Sequence, residues 1–525
     1  MTYLAVPIRV VDYEQAFRAA RQAAREGAEM LELRLDYLVE ATIENVSRIV
    51  SDIKQLQLPM IATCRPDWEG GYFTGDETLR ESIIMQALKA GADFVDIEYA
   101  AFKQSGSNVR ELLTTVPQKV IVSAHYIERA PAVFNKMWAS IAKSKPGVGK
   151  IAYRAGNILD NFGVLDLLHA KKEAQVPAIA LAMGSAGIVS RLLAKKLGAF
   201  LSFAGLEEGA ETAAGQVSIR DMKEIYRWDV IDAATKVYGV IGYPVGHSMS
   251  PAVHNAGFDS VDFNGLYLPL EVEPQYEVFR DFLDGIRERK WLDFKGVSVT
   301  IPHKENALQY VRERGGTLAP LATKLKAANT LVFDEEGKVV GYNTDYDGAL
   351  EAITSAIGAE RVDLQGIRAA VLGAGGVARA VVGGLCDARA QVTIYNRTVE
   401  KARRLAEEFG CNYASLNELQ ETHGLRTHPT KLEARLVVNA TSIGMYPNVD
   451  ESVLAAEQIR PGMIVMDTVY NPMETKLLRL ARQAGAKVVD GVSMFINQAA
   501  GQFELFTQRP APKGVMREIA ERYLS

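Results

Sequence analysis

The chain has 525 residues, of which 48% are hydrophobic and 23% are charged, a composition typical of folded globular proteins and unlike that of disordered chains. The formal net charge is −5 and no block of like charges lies along the chain, so we expect no nucleic-acid partner. The three cysteines, Cys64, Cys386 and Cys411, lie far apart, which excludes a disulfide framework and a cysteine-rich zinc site and favours a reducing compartment.

The N-terminal run MTYLAVPIRV is apolar but lacks a basic leader and a small-residue cleavage site. No apolar run in the sequence reaches the roughly 18 residues that are needed to span a bilayer. We therefore expect a cytoplasmic protein that is neither secreted nor inserted into a membrane. At about 150 residues per domain, the length predicts three or four domains.

Up to about Ser218 the sequence alternates short apolar or β-branched runs with turns and helical stretches. The eight runs are LAVPIRV from Leu4, MLELRL from Met30, PMIATC from Pro59, FVDIEY from Phe94, KVIVSAH from Lys119, GKIAYRA from Gly149, PAIALAM from Pro177 and FLSFAG from Phe200. Eight strand–helix units in about 220 residues predict a (β/α)8 barrel, with a doubly wound sheet as the alternative. Polar residues such as Glu32, Arg65 and His125 fall late in these runs or just after them, which favours the barrel because barrel active sites form at the C-terminal ends of the strands.

The first domain boundary is predicted near Tyr226 to Lys236, in a segment with a helical pattern from Ile219 to Lys236. A new series of strands opens at Val237 and is followed by a strand, a glycine turn and a helix in the arrangement of a dinucleotide-binding sheet. The predicted domains are 1–225 for the barrel, 237–345 completed by C-terminal helices in 493–525 for a small α/β domain, and 346–492 for a Rossmann-like nucleotide domain. The whole chain is therefore expected to be of the α/β class.

The glycine turn follows the strand AAVLGA and carries Gly373 and Gly375 in the pattern G-x-G-x-x-A. This context puts backbone N–H groups and a helix N-terminus where a pyrophosphate can bind, although close packing alone would also explain the glycines. At the end of the next strand stand Asn396, Arg397 and Thr398, without the acid that hydrogen-bonds the ribose of NAD. A guanidinium can pair bidentately with a 2′-phosphate, so we expect NADP unless Arg397 is an ordinary solvated charge.

Three segments of the middle domain carry more polar groups than turns require: GHSMSPAVHN, VTIPHKEN and GYNTDYDG. Each has a local explanation, since Ser250 before Pro251 suits a helix N-cap, Lys304 suits a solvated helix position and Asp345 suits a helix cap. Taken together with AANT, NATSIGM, DTVYNP and GVSMFINQAA, however, these segments closely resemble the shikimate dehydrogenase family from Val237 to the C-terminus.

This resemblance implies a pocket for a polyhydroxy acid whose ketone group is reduced by NADPH. The implied substrate ligands are Ser248, Ser250, Thr300, Asn329, Asp345, Tyr470 and Gln498. Lys304 and Asp345 are the implied catalytic pair, which is chemically reasonable because an ammonium stabilises the alkoxide that hydride transfer builds and can protonate it. The candidate cofactor-binding residues are Gly373, Ala374, Gly375, Gly376, Val377, Asn396, Arg397, Thr398, Lys401, Thr441 and Gly491. Ser298 departs from the family, in which many members have Asn, and leaves the choice between shikimate and quinate open.

The distinctive pieces of the first domain are ELRLD, TCRPDWEGG, SAHY, GKIAYRAGN, MGSAGIVSR and ETAAGQVS. Lys150 begins the run KIAYRA, and a desolvated lysine in a barrel lumen can attack a ketone to form an imine. The iminium acidifies the adjacent C–H, and His125 can move that proton. The alternative is a solvated lysine at a strand edge, and the early position of Lys150 in its strand fits poorly with an active site at the top of a barrel.

The combined pattern looks like the type I 3-dehydroquinate dehydratase family, a family of Schiff-base lyases, over essentially Met1 to Arg220. The resemblance implies that Lys150 forms the imine, His125 is the general acid and base, and Glu69 is the carboxylate partner of His125. The implied substrate ligands are Glu32, Arg34, Arg65, Arg191, Thr212 and Gln216, with Thr212 standing where many members have Ser. No metal is expected, because the seven histidines form no ligand cluster.

Together the two resemblances imply a bifunctional enzyme of aromatic amino-acid biosynthesis. It would dehydrate 3-dehydroquinate to 3-dehydroshikimate and then reduce this product to shikimate with NADPH, so that its partners are small molecules. Two alternatives stay open: a quinate dehydrogenase of quinate catabolism, and a non-catalytic ligand sensor, which would have lost catalytic residues. The sequence does not determine the oligomeric state.

Overall fold

The computed structural model describes residues 2–104, 107–129, 134–206, 215–334, 336–420 and 432–524. The chain divides into two compact units. The first is formed by Met1–Lys236, Pro244–Gly246 and Leu268–Asp293, and the second by Val237–Tyr243, His247–Tyr267 and Phe294–Ser525. The segment Leu268–Asp293, which the sequence analysis placed in the middle domain, thus groups with the first unit.

The first unit contains eight parallel strands. Their bounds are β1 Tyr3–Arg9, β2 Met30–Arg34, β3 Met60–Thr63, β4 Phe94–Glu98, β5 Val120–Tyr126, β6 Val148–Arg154, β7 Ala178–Met183 and β8 Leu201–Phe203. The order in the sheet is β7-β6-β5-β4-β3-β2-β1-β8. The backbone N–H of Phe200 donates to the carbonyl of Ala178 at 2.8 Å, which joins the two ends of the sheet. The barrel prediction is confirmed, and the doubly wound alternative for this region is wrong.

Helices follow most of these strands. Their bounds are α1 Tyr13–Arg25, α2 Ile43–Lys54, α3 Glu77–Lys89, α4 Tyr99–Gln104, α5 Ser107–Thr115, α6 Phe134–Lys143, α7 Asn161–Glu173, α8 Ile188–Leu192 and α9 Ile219–Glu224. The helix predicted from Ile219 to Lys236 ends at Glu224, and Arg227 then adopts a left-handed conformation with φ of 57°. The buried indole of Trp228 then donates to Glu29 Oε2 at 3.3 Å.

The barrel lumen is apolar near the amino ends of the strands and polar toward their carboxyl ends. One layer of inward-facing side chains includes Ile61, Ile121, Val148 and Ile179, all at most 2% exposed. Because strand side chains alternate, the residues two and four positions further along each strand also face inward. This periodicity places Lys150, two residues after Val148, inside the lumen.

The middle sheet has six strands. Their bounds are β9 Lys236–Gly242, β10 Gly265–Glu271, β11 Phe294–Val299, β12 Thr317–Leu318, β13 Thr330–Phe333 and β14 Val339–Tyr342, and their order is β10-β9-β11-β13-β14-β12. The accompanying helices are α10 Ser250–Ser260, α11 Tyr276–Glu288, α12 Lys304–Glu313 and α13 Pro320–Lys324. The sheet is mixed, since β13 pairs antiparallel with both β11 and β14. The short strands β12 and β14 were not predicted from the sequence.

The third sheet is entirely parallel. Its strands are β15 Arg368–Leu372, β16 Gln391–Asn396, β17 Asn412–Ser415, β18 Leu436–Asn439, β19 Ile464–Asp467 and β20 Lys487–Val489. The order β17-β16-β15-β18-β19-β20 is the strand order of a Rossmann sheet, whose crevice opens at the carboxyl ends of the first and fourth strands. The helices are α14 Asp345–Ile357, α15 Gly376–Asp387, α16 Val399–Phe409, α17 Asn417–Gln420, α18 Lys476–Gln483, α19 Gly491–Thr507 and α20 Lys513–Leu524.

Both faces of the third sheet are buried, as expected for parallel strands covered by helices. Along β15, Ala369 and Val371 belong to one apolar core, whereas Ala370 and Leu372 belong to the other. Across the described ranges no helix is long and apolar enough to cross a membrane. Within the same ranges, no group of three or more His, Cys, Asp or Glu side chains is arranged to hold a metal ion.

Candidate active sites

A cavity of about 220 Å³ occupies the lumen at the carboxyl ends of the barrel strands. It brings together most of the residues that the sequence analysis put forward for the first domain. Those lining it are Glu32, Arg34, Arg65, Glu69, His125, Lys150, Arg191 and Gln216. Thr212 lies outside the described residues. Candidates from six separate sequence segments thus converge on one space, as they would in an active site built from strand ends.

Lys150 is buried in this cavity, with its side chain 4% exposed. Its Nζ lies 2.6 Å from Asp96 Oδ2 and 3.5 Å from Glu32 Oε1, and 4.9 Å from the centre of the Phe203 ring. A solvated position at a strand edge is therefore wrong for this lysine. Asp96 was not among the residues predicted from the sequence, where its only signal is an acid at an inward position of the run FVDIEY.

His125 lies against Glu69 at the end of β5. Its Nδ1 is 3.0 Å from Glu69 Oε2, and its backbone N–H donates to the same oxygen at 3.2 Å. Burial, together with the nearby charge of Glu98, raises the pKa of Glu69 to about 8. Burial and the positive charges of Arg65, Lys150 and Arg34 hold the pKa of His125 well below its usual range. The imidazole is therefore neutral at physiological pH.

The other ring nitrogen of His125, Nε2, is buried and accepts or donates no hydrogen bond within the part of the chain that the structure describes. Because His125 lines the cavity, this nitrogen is available to a molecule bound there. The Glu69 contact at Nδ1 thus orients the ring and leaves the opposite nitrogen for chemistry.

Three buried arginines contribute positive charge to the cavity. Arg34 holds Asp36 in a bidentate pair at 2.9 and 2.7 Å, and Arg65 contacts Asp96 at 3.1 Å. Arg191 is 1% exposed. Buried guanidinium groups at one cavity suit a carboxylate ligand, because the planar fork pairs with two oxygens.

The second candidate site lies in the second unit, between the middle and third sheets. Lys304 Nζ donates to Asp345 Oδ2 at 2.6 Å, and the two side chains are 14% and 8% exposed. Neither local explanation from the sequence holds: Lys304 is not solvated, and the cap position before α14 is Thr344 rather than Asp345. An added Cβ at Gly376 would lie 3.7 Å from Lys304 Cδ, so the pair is beside the start of the nucleotide-binding helix.

Asn329 belongs to a buried hydrogen-bond network behind this pair. Its Nδ2 donates to Thr344 Oγ1 at 2.9 Å, and its Oδ1 accepts from the backbone N–H of Thr344 at 2.9 Å. Ser298 donates to Gln502 Oε1 at 2.8 Å, and Gln502 donates in turn to the carbonyl of Asn329. Thr344 and Gln502 were not among the sequence candidates, because their partners are distant in the chain.

The remaining substrate candidates lie on several elements of the same unit. Ser248 Oγ accepts from the backbone N–H of Ser250 at 3.3 Å, and Ser250 lies in the first turn of α10, behind the cap residue Met249. The N-cap explanation for Ser250 is therefore wrong. Thr300 follows the end of β11 and is partly exposed.

Tyr470 and Gln498 meet at Phe495 of α19. The Tyr470 ring lies 5.3 Å from the Phe495 ring, and Gln498 Nε2 donates to the Phe495 carbonyl at 3.0 Å. Burial raises the pKa of Tyr470, so its hydroxyl stays protonated and able to donate. The helix α19 approaches α14 closely, since an added Cβ at Gly348 would lie 2.9 Å from the Gln498 backbone nitrogen.

The glycine turn after β15 has the geometry of a phosphate cradle. Gly373 has φ of 118°, and an added Cβ would lie 2.7 Å from the carbonyl oxygen of Ala440, whereas no atom lies within 4 Å of one at Gly375. The first glycine is thus required by the turn, and the second leaves open space before α15 begins at Gly376. Ala374 and Val377 flank these glycines. The residues present therefore fit a pyrophosphate at a helix N-terminus.

The other cofactor candidates lie around the same crevice. Asn396 Nδ2 donates to the Thr398 carbonyl at 2.8 Å, and Arg397 and Lys401 are exposed. Thr441 Oγ1 donates to Asn439 Oδ1 at 2.7 Å in the loop after β18. Gly491 begins α19, where an added Cβ would lie 2.4 Å from the Val469 carbonyl oxygen.

Four family models match the chain. They are type I 3-dehydroquinase over residues 4–233, the shikimate dehydrogenase substrate binding domain over 240–331, shikimate/quinate 5-dehydrogenase over 356–426 and the shikimate 5′-dehydrogenase C-terminal domain over 491–521. These matches agree with the two resemblances seen in the sequence.

Similar proteins cover either the whole chain or its second half. A bifunctional 3-dehydroquinate dehydratase/shikimate dehydrogenase, chloroplastic, of Arabidopsis thaliana is 36% identical over 99% of this chain and 84% of its own length. A shikimate dehydrogenase (NADP(+)) of Methanosarcina acetivorans is 39% identical over 54% of this chain and 96% of its own length. A crystal structure of shikimate 5-dehydrogenase from Thermus thermophilus with NADP(H) and shikimate is 36% identical, with a TM-score of 0.47, over 55% of this chain and 100% of that one.

Fold and site define an enzyme with a type I dehydroquinase barrel and a dehydrogenase with a Rossmann nucleotide domain. The chain belongs to the family of bifunctional 3-dehydroquinate dehydratase/shikimate dehydrogenases. It is a lyase and an NADP-dependent oxidoreductase of the shikimate pathway. The predicted fold class, function and cofactor are thereby confirmed, whereas the domain boundaries and the roles of individual residues stay predictions.

Proposed function

We propose that the barrel cavity dehydrates 3-dehydroquinate through an imine on Lys150, and that Lys304 and Asp345 act in the reduction of the product. One observation carries the first half of the proposal. Lys150 and His125, whose Nε2 has no hydrogen-bond partner among the described residues, line one cavity together with three buried arginines. A carboxylate at the arginines would bring the ketone of the substrate within reach of the lysine.

The first reaction begins when Lys150 Nζ, as the free amine, attacks the ketone carbon. A C–N bond forms, and the carbonyl oxygen leaves as water with one proton from the amine and the proton that the lysine ammonium released on becoming the free amine. The product is an iminium. The neutral His125 accepts a proton from the adjacent carbon at Nε2, which gives an enamine. The enamine electrons then expel the β-hydroxyl, to which His125 returns the proton, and hydrolysis of the iminium releases 3-dehydroshikimate and Lys150. The net change is the loss of one water.

Glu69 supports both proton transfers through Nδ1. Because its carboxyl group faces Nδ1 at 3.0 Å, it favours the tautomer with the proton on Nδ1 and the acceptor on Nε2. Protonation of Nε2 favours ionisation of Glu69, whose carboxylate then compensates the imidazolium charge. The residue thus keeps His125 in the form that each step needs.

In the second unit, the glycine turn at Gly373 to Val377 and the residues after β16 would hold NADP, which supplies hydride when bound. Lys304 donates a hydrogen bond to the ketone oxygen, stabilises the charge that develops there and delivers the proton. Asp345 fixes the ammonium at 2.6 Å. Ser248, Ser250, Thr300, Asn329, Tyr470 and Gln498 would hold the hydroxyl and carboxylate groups of the substrate.

We favour 3-dehydroshikimate over 3-dehydroquinate as the substrate for reduction because the barrel's product is then the dehydrogenase's substrate. The test is a steady-state assay of the whole chain with 3-dehydroquinate, first alone and then with NADPH. We expect the conjugated ketone of 3-dehydroshikimate to accumulate without NADPH and shikimate to form with it. Formation of quinate at a comparable rate would favour the quinate alternative, and the absence of either turnover would favour the sensor alternative.

Two variants serve as each other's controls. Lys150→Ala should abolish dehydration and leave reduction of 3-dehydroshikimate intact, whereas Lys304→Ala should do the opposite. Borohydride added with 3-dehydroquinate should attach ligand mass to the Lys150 peptide of the wild type. Label on another lysine would overturn the imine assignment.

The cytoplasmic location and the restriction to small-molecule partners remain part of this proposal and are testable by cell fractionation and by co-purification.

A further inference from the structure

We propose that Asp96 is the counter-ion of the iminium that forms on Lys150. This inference rests on the proposed imine function of Lys150, and it assigns a role to a carboxylate that the sequence analysis did not include. Asp96 is on β4, two strands from Lys150 on β6, and both side chains point into the barrel lumen.

The contact is short and fully enclosed. Asp96 Oδ2 accepts a hydrogen bond from Lys150 Nζ at 2.6 Å, and the Asp96 side chain is 0% exposed. Burial pushes the pKa of Asp96 upward, but the charges of Lys150 and Arg65 outweigh that effect, and the net shift is downward. The carboxylate therefore stays ionised and is a poor base for the lysine proton.

Glu32 is the other acid near Nζ, but it is less suited to the role. Its Oε1 is 3.5 Å from Nζ, already accepts from Thr63 Oγ1 at 2.9 Å, and lines the cavity where the substrate enters. Asp96 is absent from the described lining of that cavity. A ligand can thus bind without displacing the Asp96 contact, so the carboxylate stays beside the nitrogen throughout the reaction.

The charge balance of imine formation explains what such a carboxylate would do. A lysine ammonium and a ketone give an iminium and water, so the nitrogen carries one positive charge before and after the step. A cation in this desolvated lumen is costly unless an anion is adjacent. Asp96 supplies that anion in both states and therefore favours the iminium over the neutral amine and unbound ketone.

Arg65 balances the negative charge of Asp96 when the nitrogen of Lys150 becomes neutral. Its Nη2 lies 3.1 Å from Asp96 Oδ2, and its Nε lies 3.4 Å from Glu98 Oε1. During the enamine stage, when Lys150 carries no charge, the guanidinium is still paired with Asp96. The carboxylate thus does not have to take up a proton between the two iminium stages.

The test is borohydride trapping of the whole chain with saturating 3-dehydroquinate, followed by mass spectrometry of the Lys150 peptide. In Asp96→Asn we expect the trapping rate and kcat for dehydration to fall about 100-fold, with KM changed by less than about threefold, because the amide keeps the shape but not the charge. Asp96→Glu, which restores a carboxylate, should recover part of the trapping. If Asp96→Asn does not fold, Asp96→Ser gives the same test with room for a water.

Asp93→Asn is the matched control. Asp93 directly precedes β4 and pairs with Lys54 Nζ at 2.5 Å, but it makes no contact with Lys150 in the described structure. This variant should lower the melting temperature and retain imine trapping. Wild-type rates of trapping in Asp96→Asn, or an equal loss of trapping in Asp93→Asn, would overturn the role of Asp96. A wild type that traps nothing on Lys150 would instead overturn the proposed function.

Discussion

Replacing Arg397 by alanine should weaken the preference for NADP without weakening the fold. Arg397 follows β16 at the edge of the nucleotide crevice and is exposed. It forms no ion pair with any residue that the structure describes, whereas Arg403 and Arg404 on α16 are both paired with Glu400. Its guanidinium is therefore available to the 2′-phosphate of NADP, and little folding free energy depends on it.

The size of the effect follows from the hydrogen bonds that would be lost. Hydrogen bonds to charged groups contribute about 1.5 to 3 kcal/mol, so removing the arginine should weaken NADP binding by roughly ten- to a hundred-fold. Arg397→Asp should go further, because its carboxylate repels the phosphate and can accept a hydrogen bond from the ribose hydroxyl of NAD. Neither change should alter dehydration, which takes place in the other unit.

The assay is the NADP to NAD ratio of kcat/KM for shikimate oxidation in the wild type and in both variants. Arg403→Ala is the matched control, since it removes an arginine of the same surface that is already engaged with Glu400 and Glu407. The ratio should fall in the Arg397 variants and stay constant in Arg403→Ala. A ratio that does not change in Arg397→Asp would mean that Arg397 is only a surface charge.

Three further predictions concern the catalytic carboxyl groups and the domain boundary. The pKa of Glu69 is raised from 4.5 to about 8, so between these two pH values the folded state holds a proton that the unfolded state releases, and this group makes stability fall as the pH rises. Glu69→Gln should therefore flatten that part of a plot of melting temperature against pH. An unchanged slope would contradict the raised pKa. Asp345→Asn should lower kcat for reduction about 100-fold and leave dehydration unchanged, and a change in KM alone would argue against its role in fixing Lys304. A fragment ending at Asp232, which holds all eight barrel strands, should fold and keep dehydratase activity. A fragment beginning at Ala233 should keep the activity that reduces 3-dehydroshikimate. An insoluble or inactive fragment would show that the boundary is wrong.

Much of the architecture could be predicted because it depends on local patterns. The eight apolar runs, the glycine turn and the C-terminal helices each leave a periodic or compositional signal within a few residues. Short strands such as β12 and β14 leave almost none, since two to four residues cannot establish a period. The helix predicted to continue to Lys236 instead ends at Glu224, before the left-handed Arg227 and the buried Trp228. Tertiary context overrides local helix propensity here.

The site residues that were missed are those whose role depends on a distant partner. Asp96 reads in the sequence as one acid in an apolar strand, and only the closure of the barrel brings it within 2.6 Å of a lysine 54 residues away. Gln502 is likewise separated from Ser298 by 204 residues. A single sequence contains no measure of these contacts, whereas residues next to glycine turns and helix starts carry their own local signal.

The depth of Lys150 in the barrel has a physical reason. It is the third residue of β6, below the mouth where barrel active sites usually form. At that depth Lys150, Glu32, Thr63 and Asp96 form a connected polar layer beneath the arginines. A lysine at this depth is excluded from solvent, whereas guanidinium groups that are to bind a carboxylate need access to the entering substrate. The long side chain of Lys150 lets both conditions hold, because its backbone lies in the lower layer while its Nζ reaches the floor of the cavity.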